Sequence, residues 1–295
     1  MKKKPDFAAI VILFAVFAAA FAPAAKADYK PDWQSLDTRP VPAWYYDAKF
    51  GIFVHWSLNS VPDISVKGME ADWLWSEMAK PDSAASKAMR KTYGDKFKYQ
   101  DLAPMFKAEL FEPSQWADLF AHSGAKYVVL TSKHHDGFCL YPSDYSWNWN
   151  SVDVGPHRDL VADLSAAVRA KGLRMGLYYS LYEWFNPLYL NHFDEYVDWH
   201  MIPQIKEVVT KYKPAVLWTD GEWEKTSAQW KSEEILAWLF NESPVRDEIV
   251  INDRWGKETR IKHGVYTSEF GGRDNWNKLS GKKKWEECRC VARSW

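Results

Sequence analysis

Six short clusters along the chain combine hydrogen-bonding side chains with aromatic ones, and each follows a short apolar run. They are His55 and Trp56; Lys133, His134, His135 and Asp136; Tyr178, Tyr179 and Ser180; Trp218, Thr219, Asp220 and Glu222; Asn252, Asp253, Arg254 and Trp255; and Thr267, Ser268 and Glu269. Taken singly, a His or Asp after a strand serves equally well as a cap or a satisfied core residue, but that explanation accounts poorly for all six. Carboxyl groups among aromatic rings fit glycoside hydrolysis, which needs two of them flanking the scissile bond, one ionised and one protonated. Asp220, after the apolar Ala215, Val216, Leu217 and Trp218, is the best-placed nucleophile, because a strand fixes its backbone and the rings limit water. Glu269, the first carboxylate after the next-but-one strand, is its acid partner. His134, His135 and Asp136 are also metal-ligand types, but adjacent histidines diverge rather than share an ion, and no metal is expected here.

Strands must carry these clusters. Candidate strands lie at 51–55, 127–131, 174–179, 215–219, 249–252, 265–267 and, less sharply, 285–291, and they alternate with helical-period segments at 113–123, 159–171, 193–212 and 233–241. In the clearest helix Leu160, Leu164, Ala167 and Val168 share one face, and Lys171 and Gly172 close it. Alternation of this kind gives a parallel sheet. Polar clusters just after strand ends are the arrangement of a (β/α)8 barrel. An open doubly wound sheet would carry a glycine-rich phosphate turn after its first strand, whereas here the strand runs into His55 and Trp56. Residues 62–104 are charged and irregular and read as an elaborated first loop. Without an internal repeat or linker, one domain is the simplest account.

The formal net charge of -1 argues against a nucleic-acid binder working through phosphate contacts. Eighteen Trp, 15 Tyr and 15 Phe supply the flat faces on which sugar rings stack. Lys2, Lys3 and Lys4, an apolar run over 7–22 and Ala25-Lys26-Ala27 form the pattern of a secretory signal peptide over residues 1–27. The run is shorter than the ~20 apolar residues that span a bilayer, so no membrane attachment is expected after cleavage. Residues 28–295 then form the catalytic domain, close to the ~250 residues of such a barrel. Three cysteines are too few for a disulfide scaffold; all three read as small, buried apolar residues.

The runs Gly51-Ile52-Phe53-Val54-His55-Trp56, Ser132-Lys133-His134-His135-Asp136-Gly137-Phe138, Trp218-Thr219-Asp220-Gly221-Glu222-Trp223 and Asn252-Asp253-Arg254-Trp255 resemble those of the α-L-fucosidases of glycoside hydrolase family 29. The resemblance extends over nearly all of residues 28–295. It implies a TIM-like (β/α)8 barrel and a retaining exo-glycosidase that releases terminal α-L-fucose through a covalent fucosyl-enzyme, without metal or organic cofactor. The implied partner is a fucosylated glycan, and the implied location is secreted or periplasmic, or lysosomal in a eukaryote; monomer and oligomer are both compatible with it. By the same resemblance Asp220 matches the nucleophile. His55, His134, His135, Tyr179, Trp218 and Arg254 match residues that hold fucose hydroxyls, and Trp73 matches an aromatic near the sugar. Asp72 stands where the family usually has Glu, a shorter reach toward one hydroxyl. Two residues match acid/base positions, Glu269, which is favoured, and Glu286, with Glu287 its neighbour. Family members continue beyond the residues matching Trp295 through an eighth strand and helix, and most add a β-sandwich. A barrel incomplete at its C-terminus, with unpaired strand edges, is therefore expected. The alternatives are a non-catalytic or vestigial carbohydrate-binding fragment and another retaining glycosidase.

Overall fold

The computed structural model describes residues 28–64, 66, 69–269 and 284–291; the signal peptide expected over 1–27 lies outside them. Seven strands are described, each where the apolar runs place it: β1 Gly51–Val54, β2 Tyr127–Lys133, β3 Arg174–Ser180, β4 Val216–Asp220, β5 Val250–Ile251, β6 Tyr266–Ser268 and β7 Trp285–Glu287. β1 to β5 pair in chain order, all parallel, and β6 pairs in parallel with β7. A parallel bridge between Asn252 and Val265 carries the wall from β5 to β6. Parallel neighbours in sequence order, with helices returning the chain, make the wall of a TIM-like barrel.

The outer helices are α1 Pro113–His122, α2 Leu160–Ala170, α3 Ile202–Tyr212 and α4 Ser232–Asn241. Pro113 opens α1, where its missing N–H costs nothing. Asp159 caps α2 by accepting from the Ala162 N–H at 2.9 Å. The single helix expected over 193–212 is in fact three pieces, Phe193–Glu195, a π-turn Tyr196–Met201, and α3. Pro203 has no N–H to give to the carbonyl four residues back, so the ladder widens there. The segment 62–104 is also more regular than expected, with helices at Leu74–Met78 and Ala84–Tyr93 and a 3-10 stretch at Tyr99–Met105. Ser83 starts the longer helix by accepting from the Ser86 N–H at 2.9 Å. Its charged composition obscured that cap.

Alternation along the strands separates two cores. Val129, Tyr178, Val216, Trp218, Val250 and Val265 fill the barrel with Tyr45 and Tyr127. Val128, Leu130, Leu177, Tyr179 and Leu217 face outward under the helices, against residues such as Leu164 of α2 and Val208 of α3. A bulge between Thr131 and Lys133 breaks the alternation in β2 and re-aims the residues that follow. Cys139 and Cys288 are buried as expected, but Cys290 is exposed, because β7 ends at Glu287 and leaves it beyond the alternating wall. No helix among the described residues is long and apolar enough to cross a membrane.

Gly176 of β3 lies between Val129 of β2 and Val216 of β4. A Cβ there would stand 2.8 Å from Val216 Cβ and 3.0 Å from Val129 Cγ2, neither of them a flexible chain end. Gly176→Ala therefore destabilises the protein by about 1–3 kcal/mol, read as a lower urea midpoint at an unchanged denaturant slope.

Candidate active site

Asp220 ends β4 pointing inward and is 8% exposed. Its Oδ1 accepts from Arg254 Nη1 at 2.6 Å and its Oδ2 from the Tyr178 hydroxyl at 2.9 Å. Burial alone would raise this carboxyl, but the Arg254 charge and the hydrogen bonds from Arg254 and Tyr178 outweigh it, so the group is held well below the ordinary carboxylate range. Arg254, 1% exposed, lies over the Trp218 ring at 4.3 Å and donates from Nε to the Thr267 hydroxyl at 2.9 Å. Its Nη2 stands 2.8 Å from Glu269 Oε2. One guanidinium thus joins the ends of β4 and β6 and touches both candidate carboxyl groups. Glu222 is buried against Arg260 at 2.8 Å. Burial raises its carboxyl above the ordinary range, Arg260 offsets part of that, and the charge of Asp220 adds to it.

Beside this pair, His55, at the end of β1, and His134 share one oxygen of Asp72, at 3.0 and 3.2 Å. Burial would raise Asp72, but His134 and then His55 hold it well below the usual range. Burial disfavours the His134 imidazolium, yet Asp72 outweighs that and raises it. Asp72 Oδ1 and His134 Nδ1 are buried without a hydrogen-bond partner among the described residues. His135 diverges from His134, as adjacent residues should. Its Nδ1 lies 2.6 Å from the Ser180 hydroxyl, which itself donates to the Tyr182 carbonyl at 2.6 Å, so Nδ1 carries the proton and Nε2 presents a lone pair. Burial and the neighbouring His134 charge keep His135 well below its ordinary value, hence neutral. Nε2 stands 3.7 Å from Asp220. His55, Asp72 and His134 offer ligand-type atoms all within 4.8 Å of one another; their two short contacts are hydrogen-bond lengths to a shared carboxylate oxygen.

The chain that carries this assembly has close relatives. The family model of α-L-fucosidases matches residues 16–295. The chain is 49% identical to the tissue α-L-fucosidase of Rattus norvegicus over 90% of its length and 58% of that protein's, and 47% identical to that of Homo sapiens over 90% and 58%. An α-fucosidase of Thermotoga maritima solved in complex with fucose superposes with a TM-score of 0.73 at 39% identity, over 88% of this chain and 61% of that one. The chain belongs to the α-L-fucosidase family. It spans little more than half the length of these curated relatives.

Within this member of the α-L-fucosidase family most site residues expected from sequence come together: Asp220, Glu269, His55, His134, His135, Trp218, Arg254 and Trp73, whose ring lies 5.8 Å from that of His135. Two do not. Tyr179 faces the outer core, where its hydroxyl donates to Gln204 of α3 at 2.8 Å and its ring lies under Lys133 at 4.2 Å. The inward position belongs to Tyr178, because successive strand residues face opposite sides. Glu286 is engaged one layer further down the barrel. It accepts from Trp218 Nε1 at 3.0 Å, from the Tyr127 hydroxyl at 2.6 Å and from Tyr45 at 2.8 Å. Trp218 precedes Asp220 by two residues on the same face, and Tyr127 begins β2, so Glu286 sits toward the opposite end of the barrel from the Asp220 carboxylate. Glu287 is ion-paired to Arg289 at 2.6 Å.

Asp136 serves the fold, accepting from Tyr99, Ser57 and the Phe138 N–H at 2.7, 3.1 and 3.0 Å. Behind the histidines, Lys133 and His200 both hold Glu183 Oε1, at 2.5 and 2.8 Å. Burial pushes the Glu183 carboxyl up, but Lys133 and then His200 bring it well below the ordinary range. This buried trio fixes the β2 loop carrying His134 and His135 to the β3 loop carrying Trp184, whose N–H donates to the His135 carbonyl at 3.0 Å. No local pattern in the sequence signals it, since Lys133 and Glu183 are 50 residues apart.

Glu183→Ala leaves the Lys133 ammonium buried without its carboxylate and costs about 3–5 kcal/mol; the double variant Lys133→Met with Glu183→Leu recovers most of that loss in a urea titration. Asp220, Asp72 and Glu183 all have folded values below their unfolded ones. Their stabilisation is complete above an unfolded range of about 4 and drains as pH falls from there toward the folded values. The urea midpoint accordingly drops between about pH 4.5 and 3, and the double variant lacks the Glu183 share of that decline.

Proposed function

We propose that residues 28–295 are the catalytic barrel of a retaining α-L-fucosidase acting on terminal α-L-fucose of a fucosylated glycan, exported by a cleaved leader over 1–27. The observation that carries this reading is Arg254 in contact with both Asp220 and Glu269, at 2.6 and 2.8 Å. A single guanidinium keeps two carboxyl groups close, which favours the ~5–5.5 Å separation of retaining enzymes over the ~6.5–9.5 Å that leaves room for water.

The polar wall suits a sugar. Asp72 Oδ1 accepts from one hydroxyl group and His134 Nδ1 donates to another, which satisfies two buried atoms otherwise left unpaired, and His135 Nε2 offers its lone pair to a third. An Asp220 oxygen attacks the anomeric carbon while the bond to the leaving oxygen breaks and Glu269 gives that oxygen its proton. The Glu269 carboxylate then takes a proton from water, the water oxygen attacks the same carbon, and the bond to Asp220 breaks to return the carboxylate. In the free protein Glu269 rests on Arg254 with its side chain 22% exposed. That exposure leaves the carboxyl open to an incoming leaving group.

Asp220→Gly lowers kcat on 4-nitrophenyl α-L-fucoside by several orders of magnitude, and azide restores turnover with the inverted β-fucosyl azide as product; near-normal activity in that variant would sink the assignment. Glu269→Ala impairs a fucosylated oligosaccharide far more than the nitrophenyl fucoside, because a nitrophenolate leaves without a proton. Glu286→Ala shows no such leaving-group dependence and instead lowers thermal stability. Tyr178→Phe removes a hydrogen bond that depresses the Asp220 carboxyl, so the acidic limb of the kcat/KM profile moves to higher pH, whereas Tyr179→Phe leaves that limb in place.

A further inference from the structure

Beyond the pocket for the cleaved sugar, the loop after Asp220 carries a large aromatic ring that the reaction described above does not use. Gly221 has φ +80, a conformation open to glycine, and a Cβ there would meet Tyr182 Cβ at 2.5 Å. The tight turn brings Trp223 to the mouth of the barrel, three residues past the nucleophile, with 37% of its surface exposed.

Its plane is fixed on several sides. Trp223 stacks on Trp73 with centroids 5.7 Å apart at 28°, meets His135 edge-on at 5.1 Å and lies 6.0 Å from Tyr182. Trp73 in turn packs on Trp184 at 5.4 Å. The loop is tied down on both sides of the ring. Glu222 holds Arg260 at 2.8 Å, its carbonyl accepts from Trp230 Nε1 at 3.2 Å, and Glu224 accepts from the Tyr189 hydroxyl at 3.0 Å. An exposed indole immobilised by rings and hydrogen bonds has lost its freedom before any ligand arrives, which is how a preformed binding face gains affinity.

We propose that Trp223, backed by Trp73, is the platform for the leaving-group sugar, a pyranose that stacks its apolar face on the indole while the terminal fucose occupies the histidine-lined pocket. This rests on the fucosidase reading and deepens it. The direction follows from chain order, since β4 runs toward the mouth and Trp223 lies beyond its end. An exo-acting site holds the terminal sugar innermost and projects the rest of the glycan outward, past that ring. Stacking of a sugar face on an indole is worth enough to tell a glycan from a small leaving group.

The test compares α-L-fucosyl fluoride, which has no leaving-group ring, with an α-L-fucosyl-(1→2)-galactose disaccharide. For Trp223→Ala the ratio of kcat/KM for the disaccharide to that for the fluoride falls at least tenfold, mainly through KM, and Trp223→Phe restores most of it. An unchanged ratio in Trp223→Ala, with both substrates affected alike, overturns the platform and gives Trp223 a purely structural role. Saturation-transfer NMR on the same disaccharide separates this from the fucosidase reading. If the unaltered chain cleaves neither substrate, that reading fails, but the galactose protons still receive saturation in the unaltered chain and lose it in Trp223→Ala if the platform exists. Galactose signals that are absent in the unaltered chain, or equal in both, overturn it.

Discussion

A carboxylate taken out of water keeps its charge only if something nearby offsets the loss of hydration, and here that is the Arg254 guanidinium. It is itself almost fully buried, and Asp220, Glu269, the Thr267 hydroxyl and the Trp218 ring surround it. Burial would depress an arginine, but the charges of Asp220, Glu269 and Glu222 reverse that and raise it. The contacts pull together the ends of β4, β5 and β6, so the electrostatics of the site and the closure of this part of the wall rest on the same side chain. Removing it would leave two carboxyl groups facing each other with no cation between them.

The histidine side depends on a second buried cluster. Lys133, re-aimed outward by the bulge in β2, meets Glu183, and His200 reaches the same oxygen from the π-turn before α3. The bulge and the π-turn are local departures from regular geometry, and each carries one member of the trio. The adjoining His134 and His135 are shifted in opposite directions, His134 upward by Asp72 against the pull of burial and His135 downward by burial and by His134.

Much of this was legible from sequence for physical reasons. Apolar runs ending in polar residues mark barrel strands, and all seven lie where those runs fall. Asp220 and Glu269 follow from position at strand ends. Tyr178 and Tyr179 could not be told apart by type, since both are tyrosines at one strand end; parity decides, and it is fixed only once Val216 and Trp218 are seen to face inward with Tyr178. Glu286 matches a family position, yet it lies in a layer set by the tilt and register of β7 against β6, and no local signal in the sequence encodes that. The helix at Ala84–Tyr93 was hidden by its charges, although Ser83 and Gly94 bracket it with a cap and a stop. The Lys133, Glu183 and His200 trio joins three separate elements, and pairing at such distance appears only in the folded chain.

Turnover by the proposed double displacement requires Asp220 to become covalently bonded to the sugar. A 2-deoxy-2-fluoro-α-L-fucosyl fluoride tests it directly, because fluorine at C2 slows both steps by destabilising an oxocarbenium-like transition state while the fluoride leaving group spares the first. After incubation, peptide mapping by mass spectrometry should find one fluorofucosyl unit per chain, on the peptide holding Asp220, with fragmentation placing it on that side chain. A label on Glu269, Glu286 or any other residue, or an unlabelled protein that nevertheless turns over a fucoside, would contradict the account.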